Sequence, residues 1–251
     1  YIRKMTTSDI RLIELSEAGS SASDPQDPFD TNNKLVYLGG DSPLDGVDYH
    51  SRPLIDLHKI HLDQVKRFII DKPMVSAWAA TVPIGYCAYH GAGRKAIPRL
   101  LKDFGFEDLQ IITDSDLNEL NGLFPAFQDD PEQQPDPGDA VAAEIAAAAF
   151  QRQFGEDEFN RQDIVIGTDP DADRVGLTIK VPEEQREAYG GKSHVLLDAD
   201  DAWTLLLWYR FFRESNSNAG KLRDGDKKFI VLSHITTDAL VRLGRKYGVG
   251  V

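Results

Sequence analysis

The sequence has a single cysteine, Cys87, and too few basic residues to balance its acidic ones. One cysteine excludes an internal disulfide framework and fits a reducing compartment, so we expect a cytoplasmic protein. The 41 acidic residues against 28 basic ones give a net charge of -13, which argues against nucleic acid or an anionic membrane surface as a partner. The longest apolar run, residues 202–212, contains Arg210 and is far shorter than a membrane span.

Predicted strands and helices alternate through the middle of the chain. Their βαβαβ order indicates an α/β domain in which a mixed, mostly parallel sheet is flanked by helices, and sites in such sheets gather at the carboxyl ends of the strands. The apolar spacing predicts helices at residues 55–70, ended by Pro73, and at 94–104 and 140–154, and strands within 74–89 and at 109–113, 163–167 and 175–179.

The two ends of the chain differ from this middle part. Residues 1–56 are predicted to form an irregular segment or linker, because residues 16–30 are rich in Ser, Asp, Pro and Gly. The chain begins at Tyr1 without an initiator Met, so we expect its natural start to be missing. A helix at 202–212, a strand at 228–232 and a helix at 238–247 are expected to begin a second, truncated α/β domain. The expected division is therefore 1–56, 57–195 and 196–251.

The most informative segment is Asp169-Pro170-Asp171-Ala172-Asp173-Arg174, which directly follows the predicted strand. Three carboxylates at alternate positions of a tight turn converge on one point, which is unfavourable unless a cation lies there. We therefore expect Asp169, Asp171 and Asp173 to bind Mg²⁺. Arg174 is expected to grip a phosphoryl oxygen or to neutralise charge that develops during its transfer. The plainer alternative is a solvated acidic turn.

Other acidic motifs fit this segment less well. An EF-hand loop needs Gly at position six and Glu at position twelve, where this chain has Arg174 and Lys180, so the EF-hand is excluded. An aspartyl-phosphate phosphatase would use Asp169 as its nucleophile and is a distant alternative. A sugar-nucleotide transferase that uses Asp-x-Asp with Mn²⁺ is another.

Residues 167–176, Gly-Thr-Asp-Pro-Asp-Ala-Asp-Arg-Val-Gly, resemble the metal-binding loop of the α-D-phosphohexomutases, which include phosphoglucomutases and phosphomannomutases. The resemblance extends over roughly residues 57–251. Asp136 stands where the family commonly has Asn, and Ala126 where it commonly has Thr. Further segments resemble family stretches in the same order: Tyr-His-Gly-Ala-Gly at 89–93, Gly-Leu-Phe-Pro at 122–125, Pro-Asp-Pro at 135–137 and Ile-Thr-Thr at 235–237.

This resemblance implies that the chain is the second of four domains and the start of the third. The implied reaction interconverts hexose 1-phosphate and hexose 6-phosphate through a phosphoserine and a bisphosphorylated sugar. Mg²⁺ would lie on Asp169, Asp171 and Asp173, with Arg174 beside the moving phosphoryl group. The expected partners are the phosphorylated hexose and the remaining domains of the same polypeptide, which would carry the phosphoserine. A non-catalytic metal-binding module derived from this family is the alternative.

A few other residues carry weaker signals. His90, at a predicted strand end, could bind substrate, although a histidine at such a turn more often makes local hydrogen bonds. Gly91 and Gly93 could let backbone amides approach a phosphate, or could serve close strand-to-helix packing. Cys87 is expected to be buried and unreactive. Thr236 and Thr237, before Asp238, are interpreted first as a helix N-cap, with substrate binding as the weaker alternative.

Overall fold

The computed structural model describes residues 57–113, 115–129, 135–218 and 220–251, and the backbone of residues 38–39 and 55–56. For residues 57–59, 115 and 116 only the backbone is described. Apart from two short strands, the predicted linker of residues 1–56 lies outside the described residues. The chain divides into two compact units, residues 1–68 and 69–251.

The first unit contains two paired strands and a helix. Strand β1 (Leu38–Gly39) pairs in parallel with β2 (Ile55–Asp56), and helix α1 (Leu57–Val65) follows at once and ends in a 3-10 turn at Lys66–Phe68. The single helix predicted over residues 55–70 is therefore wrong at both ends. Residues 55 and 56 form a strand because they pair with β1, and local apolar spacing carries no information about such a distant partner.

The second unit opens with a helix that the apolar spacing does not predict, α2 (Lys72–Trp78). The prediction that Pro73 ends a helix is wrong, because Pro73 lies in the first turn of α2. A missing N–H is tolerated there, since the first turn has no intrahelical acceptor. The Asp71 carboxylate caps the helix and accepts a hydrogen bond from the Met74 amide at 3.1 Å.

A five-stranded mixed sheet organises the second unit. Its spatial order is β4, β3, β5, β6, β7. The central strand β3 pairs in parallel with β4 and β5, whereas β5–β6 and β6–β7 are antiparallel. The expected mixed sheet is confirmed, with its parallel pairs on one side and its antiparallel pairs on the other. The strands are β3 (Ile84–Cys87), β4 (Leu109–Ile111), β5 (Ile164–Thr168), β6 (Val175–Lys180) and β7 (His194–Leu196).

Helices connect the parallel strands and flank the sheet. The predicted helices at 94–104 and 140–154 are confirmed as α3 (Gly93–Asp103) and α5 (Ala140–Phe154). The short helices α4 (Ser115–Asn118) and α6 (Glu156–Arg161) are additional. Gly105 and Gly155 follow the two predicted helices with φ values of 94° and 96°, a backbone conformation that favours glycine and ends a helix.

The core of this domain lies between the sheet and the alanine-rich helix α5. Small side chains let α5 approach closely, and the Phe150 ring lies 3.0 Å from where a Cβ on Gly85 of β3 would be. Cys87 is fully buried, as expected. The core cluster consists of Cys87, Tyr89, Ile112, Leu117, Phe127, Ala142, Ala146, Ala149, Phe150, Phe159 and Val165.

Residues 199–251 form two helices with a small apolar cluster of their own. Helix α7 (Ala199–Asn216) and helix α8 (Asp238–Lys246) meet around Phe211, Leu222 and Val249. The Thr237 hydroxyl caps α8, as predicted, by accepting from the Ala239 amide. The strand predicted at 228–232 is not formed, and only an isolated parallel bridge joins Phe229 and Gly250. Among the described residues, no helix combines the length and the apolar character that crossing a bilayer requires.

His194 is a buried titratable group in the edge strand β7. Its Nε2 lies 2.8 Å from the Gln162 carbonyl oxygen, and its ring is 4.4 Å from the Phe159 ring, centroid to centroid. Burial lowers the pKa of His194. The hydrogen bond to Gln162 opposes that shift, and the charges of Lys180 and Arg186 add to it. Protonation of His194 is therefore harder in the folded protein than in the unfolded chain.

We expect the free energy of unfolding to fall as the pH drops through 6.5, the ordinary histidine pKa, because the unfolded chain then takes up a proton that folded His194 resists. His194→Gln keeps an N–H donor for the Gln162 carbonyl but cannot titrate. Between about pH 7.5 and about pH 5, its Tm should fall by roughly 2–4 °C less than that of the wild type. The exposed His234→Gln is the matched control and should follow the wild type. Equal losses in all three proteins would contradict the prediction.

Candidate metal centre

The acidic segment forms the hairpin loop between β5 and β6. Asp169 follows β5 directly, and Thr168 pairs with Val175 across the base of the loop. Two backbone hydrogen bonds close the loop, one from the Ala172 amide to the Asp169 carbonyl at 3.0 Å and a longer one from the Asp169 amide to the Arg174 carbonyl at 3.4 Å. Ala172 has a φ of 60°, so the chain turns sharply without a glycine.

The three predicted ligands converge as expected. One carboxylate oxygen from each of Asp169, Asp171 and Asp173 lies within 4.8 Å of the others. Asp169 is only 1% exposed, whereas Asp171 and Asp173 face solvent. Carboxylate oxygens are the donors that hard divalent cations prefer, so the residues present fit Mg²⁺. Because two of the three are exposed, the site has an open side from which a second molecule could complete the coordination.

The carboxylates differ in how their charge is compensated. Burial raises the pKa of Asp169, but hydrogen bonds from the Arg174 backbone amide and side chain outweigh it, so the pKa of Asp169 is lowered. The charge of Asp171 is the main cause of a raised pKa at Asp173, and the nearby Asp169 carboxylate adds to it. The inner carboxylate is thus stabilised by the protein, whereas the outer pair is in mutual repulsion that a cation would relieve.

Arg174 bridges two carboxylates from different segments, Asp169 and Asp136. Its backbone amide donates to Asp169 Oδ1 at 2.9 Å and its Nε to Asp169 Oδ2 at 3.0 Å. Its Nη1 donates to Asp136 Oδ2 at 2.6 Å. The hydrogen bond with Asp169, followed by the charge of Asp136, raises the pKa of Arg174. The side chain is still 54% exposed, so the guanidinium is oriented by carboxylates and open to solvent.

Asp136 is the site residue that the sequence did not identify as functional. It was notable there only as a departure from the family pattern, and the structure shows it as a partner of Arg174 across 38 positions of sequence. Its Oδ1 accepts a hydrogen bond from the Gly138 amide at 2.8 Å. An available signal was the arginine of the metal loop, a cation able to pair with a carboxylate from another segment.

Gly91 and Gly93 bring the turn after β3 against the metal loop. A Cβ on Gly91 would lie 2.6 Å from the Pro170 Cα, and one on Gly93 would lie 2.6 Å from the Tyr86 hydroxyl. The amides of Gly91 and Ala92 donate to carbonyls of the protein itself, those of Ala88 and Pro170. These contacts favour close packing over phosphate binding as the reason for the two glycines.

His90 lies in a turn of unusual backbone conformation. Tyr89 and His90 have φ values of 42° and 63°, and the His90 side chain is 2% exposed. Its Nδ1 is 2.8 Å from the Glu119 carbonyl oxygen, so Nδ1 carries the proton. Its Nε2 has no hydrogen-bond partner in the described part of the chain. The contacts favour a local hydrogen-bonding role, and substrate binding by His90 stays a prediction.

A close backbone contact joins the β6 end of the hairpin to the Pro-Asp-Pro segment. A Cβ on Gly176 would clash with the Pro137 carbonyl oxygen. No side chain can occupy that space unless the backbone of one segment moves. Because Asp136 precedes Pro137, this contact also sets where Asp136 meets Arg174.

We expect Gly176→Ala to lower the free energy of unfolding by roughly 1–3 kcal/mol, because the added methyl group overpacks backbone against backbone. Gly122→Ala is the matched control, since a Cβ there would meet nothing within 4 Å. Urea unfolding of both variants measures the difference. Equal stability of the two variants would show that Pro137 does not approach Gly176 as closely as described.

The sequence and this geometry agree with one known protein family. Residues 59–181 match the family model described as phosphoglucomutase/phosphomannomutase, alpha/beta/alpha domain II. The match begins within α1 and ends just after β6, so it includes the whole metal loop. No curated protein and no solved structure matches the chain. Residues 59–181 therefore form a domain that matches alpha/beta/alpha domain II of the phosphoglucomutase/phosphomannomutase family.

Proposed function

We propose that this chain supplies the Mg²⁺-binding domain of a phosphoglucomutase-like enzyme. The reaction is the interconversion of hexose 1-phosphate and hexose 6-phosphate through a phosphoserine and a bisphosphorylated sugar. The observation that carries the proposal is the convergence of three carboxylates within 4.8 Å at the β5–β6 hairpin, in a domain that matches this family. Parts of the enzyme beyond domain II would recognise which hexose is bound, glucose or another.

The donor set of the loop suits phosphoryl transfer. Asp169, Asp171 and Asp173 offer three hard oxygen ligands, and the exposed side of the site leaves room for water and a phosphate oxygen. A bound Mg²⁺ would polarise that phosphate oxygen and offset the negative charge of the transfer. Positioning and charge neutralisation dominate such reactions, so the protein needs few other reactive groups here.

Arg174 is the second functional group of the proposed site. Its Nε donates a hydrogen bond to Asp169 and its Nη1 donates one to Asp136. Nη2 therefore has no hydrogen bond to the described residues. A planar guanidinium on a half-exposed side chain is suited to a phosphoryl oxygen. Arg174 would thus hold the moving phosphoryl group beside the metal loop, and its charge would stabilise that group during transfer.

The net charge of the chain supports a proposal in which other domains bind the phosphate groups of the substrate. The net charge of -13 makes this chain as a whole unfavourable for attracting a phosphorylated hexose. We assign the phosphoserine and the basic phosphate contacts to the remaining domains of the same polypeptide. This chain then contributes the metal ligands and one arginine.

We expect Asp171→Ala in the intact enzyme to lower Mg²⁺-dependent mutase activity by about two orders of magnitude or more, because one of three metal ligands is lost. Asp171 is exposed, so the fold should be unaffected. Asp157→Ala, an exposed residue in the first turn of α6, is the matched control and should keep wild-type activity. Conversion of glucose 1-phosphate to glucose 6-phosphate over a range of Mg²⁺ concentrations is the assay. Unchanged activity of Asp171→Ala at every Mg²⁺ concentration would refute the assignment.

The 251-residue chain alone is expected to show no turnover of glucose 1-phosphate, because it lacks the phosphoserine that the proposal places elsewhere. The same assay, with the intact enzyme as the positive control, tests this. Robust conversion by the isolated chain would mean that its own residues carry the phosphoryl group, contrary to the proposal.

A further inference from the structure

Arg174 needs an external constraint if it is to present its guanidinium in one direction. Its long side chain is 54% exposed, and ordering such a side chain costs rotamer entropy. Asp169 holds only the Nε edge of the guanidinium. Asp173 lies farther away, with its Oδ1 3.7 Å from Nε. The shortest contact of the guanidinium is with Asp136, at 2.6 Å.

Asp136 is itself held in place from several sides. The prolines on either side of it, Pro135 and Pro137, are buried and have restricted φ angles. Its Oδ1 accepts from the Gly138 amide, which leaves Oδ2 directed at Arg174. The carbonyl of Pro137 lies against Gly176 of β6. Asp136 is therefore a fixed carboxylate, and it meets a half-exposed guanidinium that Asp169 holds only at its Nε edge.

We propose that Asp136 is a positioning residue for Arg174, an inference that rests on the proposed function. By holding Nη1, it keeps the guanidinium beside the metal loop and prevents it from folding onto Asp171 and Asp173. Those two carboxylates then stay available to a cation, and Nη2 stays available to a phosphoryl oxygen. When Asp136 loses its charge, Arg174 becomes a competing cation for the loop. Asp136 thus supports cation binding through Arg174 and does not itself act as a ligand.

Titration calorimetry with Mn²⁺ on the 251-residue chain tests this proposal without any need for turnover. Asp136→Asn should raise the Kd for Mn²⁺ about three- to tenfold, because a freed arginine competes with the metal. In an Arg174→Gln background the same substitution should change the Kd less than about twofold, because the competitor is gone. An effect of equal size in both backgrounds would overturn the proposal, since it would reflect only the charge of Asp136 at a distance.

Two controls separate this effect from damage to the fold. Asp136→Ser also lacks the charge but keeps an acceptor for the Gly138 amide, and it should raise the Kd as Asp136→Asn does. Asp108→Asn breaks a comparable aspartate–arginine pair, that with Arg161, and should leave the Kd within about twofold of the wild type. Thermal melts establish that each variant is folded. A wild-type Kd in the folded variants Asp136→Asn and Asp136→Ser would refute the role of Asp136.

The outcomes also separate this proposal from the proposed function. If the wild-type chain binds no Mn²⁺, the metal site is wrong and both proposals fall. If it binds Mn²⁺ and the Asp136 variants bind equally well, only the role of Asp136 is wrong. In the intact enzyme, Asp136→Asn should lower kcat about tenfold with little change in KM, because Arg174 acts on the moving group more than on the bound substrate.

Discussion

The charge of Asp169 is the constraint on which the rest of the site depends. A carboxylate almost without solvent contact is costly unless each oxygen is hydrogen-bonded, and Arg174 satisfies both oxygens, one from its backbone and one from its side chain. This pairing adds to the two backbone hydrogen bonds that close the loop between β5 and β6. It also separates an inner ligand, which the protein holds rigidly, from the outer ligands Asp171 and Asp173, which meet incoming molecules.

Much of the site could be predicted from the sequence because its chemistry is local. Three alternating carboxylates in a tight turn must converge whatever the rest of the chain does, and the structure brings Asp169, Asp171 and Asp173 together. Helices α3 and α5 could also be predicted from the sequence, because each has a clear apolar period and ends before a glycine. The antiparallel pairing of β5 with β6 is a structural finding that fits the loop of residues 169–174, which is too short for a parallel crossover.

The remaining features depend on partners that are distant in sequence. The role of Asp136 in the site depends on its hydrogen bond with Arg174. Residues 55–56 form a strand only because they pair with β1. The segment at 228–232 has the apolar density of a strand but makes a single bridge, because strand formation requires a neighbour along its length. Pro73 illustrates a different difficulty, since proline is compatible with both a helix end and a helix start.

The contact between Gly176 and Pro137 has a consequence for how this domain can be altered by evolution or by grafting. The backbones of the hairpin and of the Pro-Asp-Pro segment touch without an intervening side chain, so neither can shift or change length alone. Residues 135–138 and 167–176 therefore pack as one unit, although they lie far apart in sequence. A chimaera that transplants the metal loop from a relative would need the matching proline segment from the same donor.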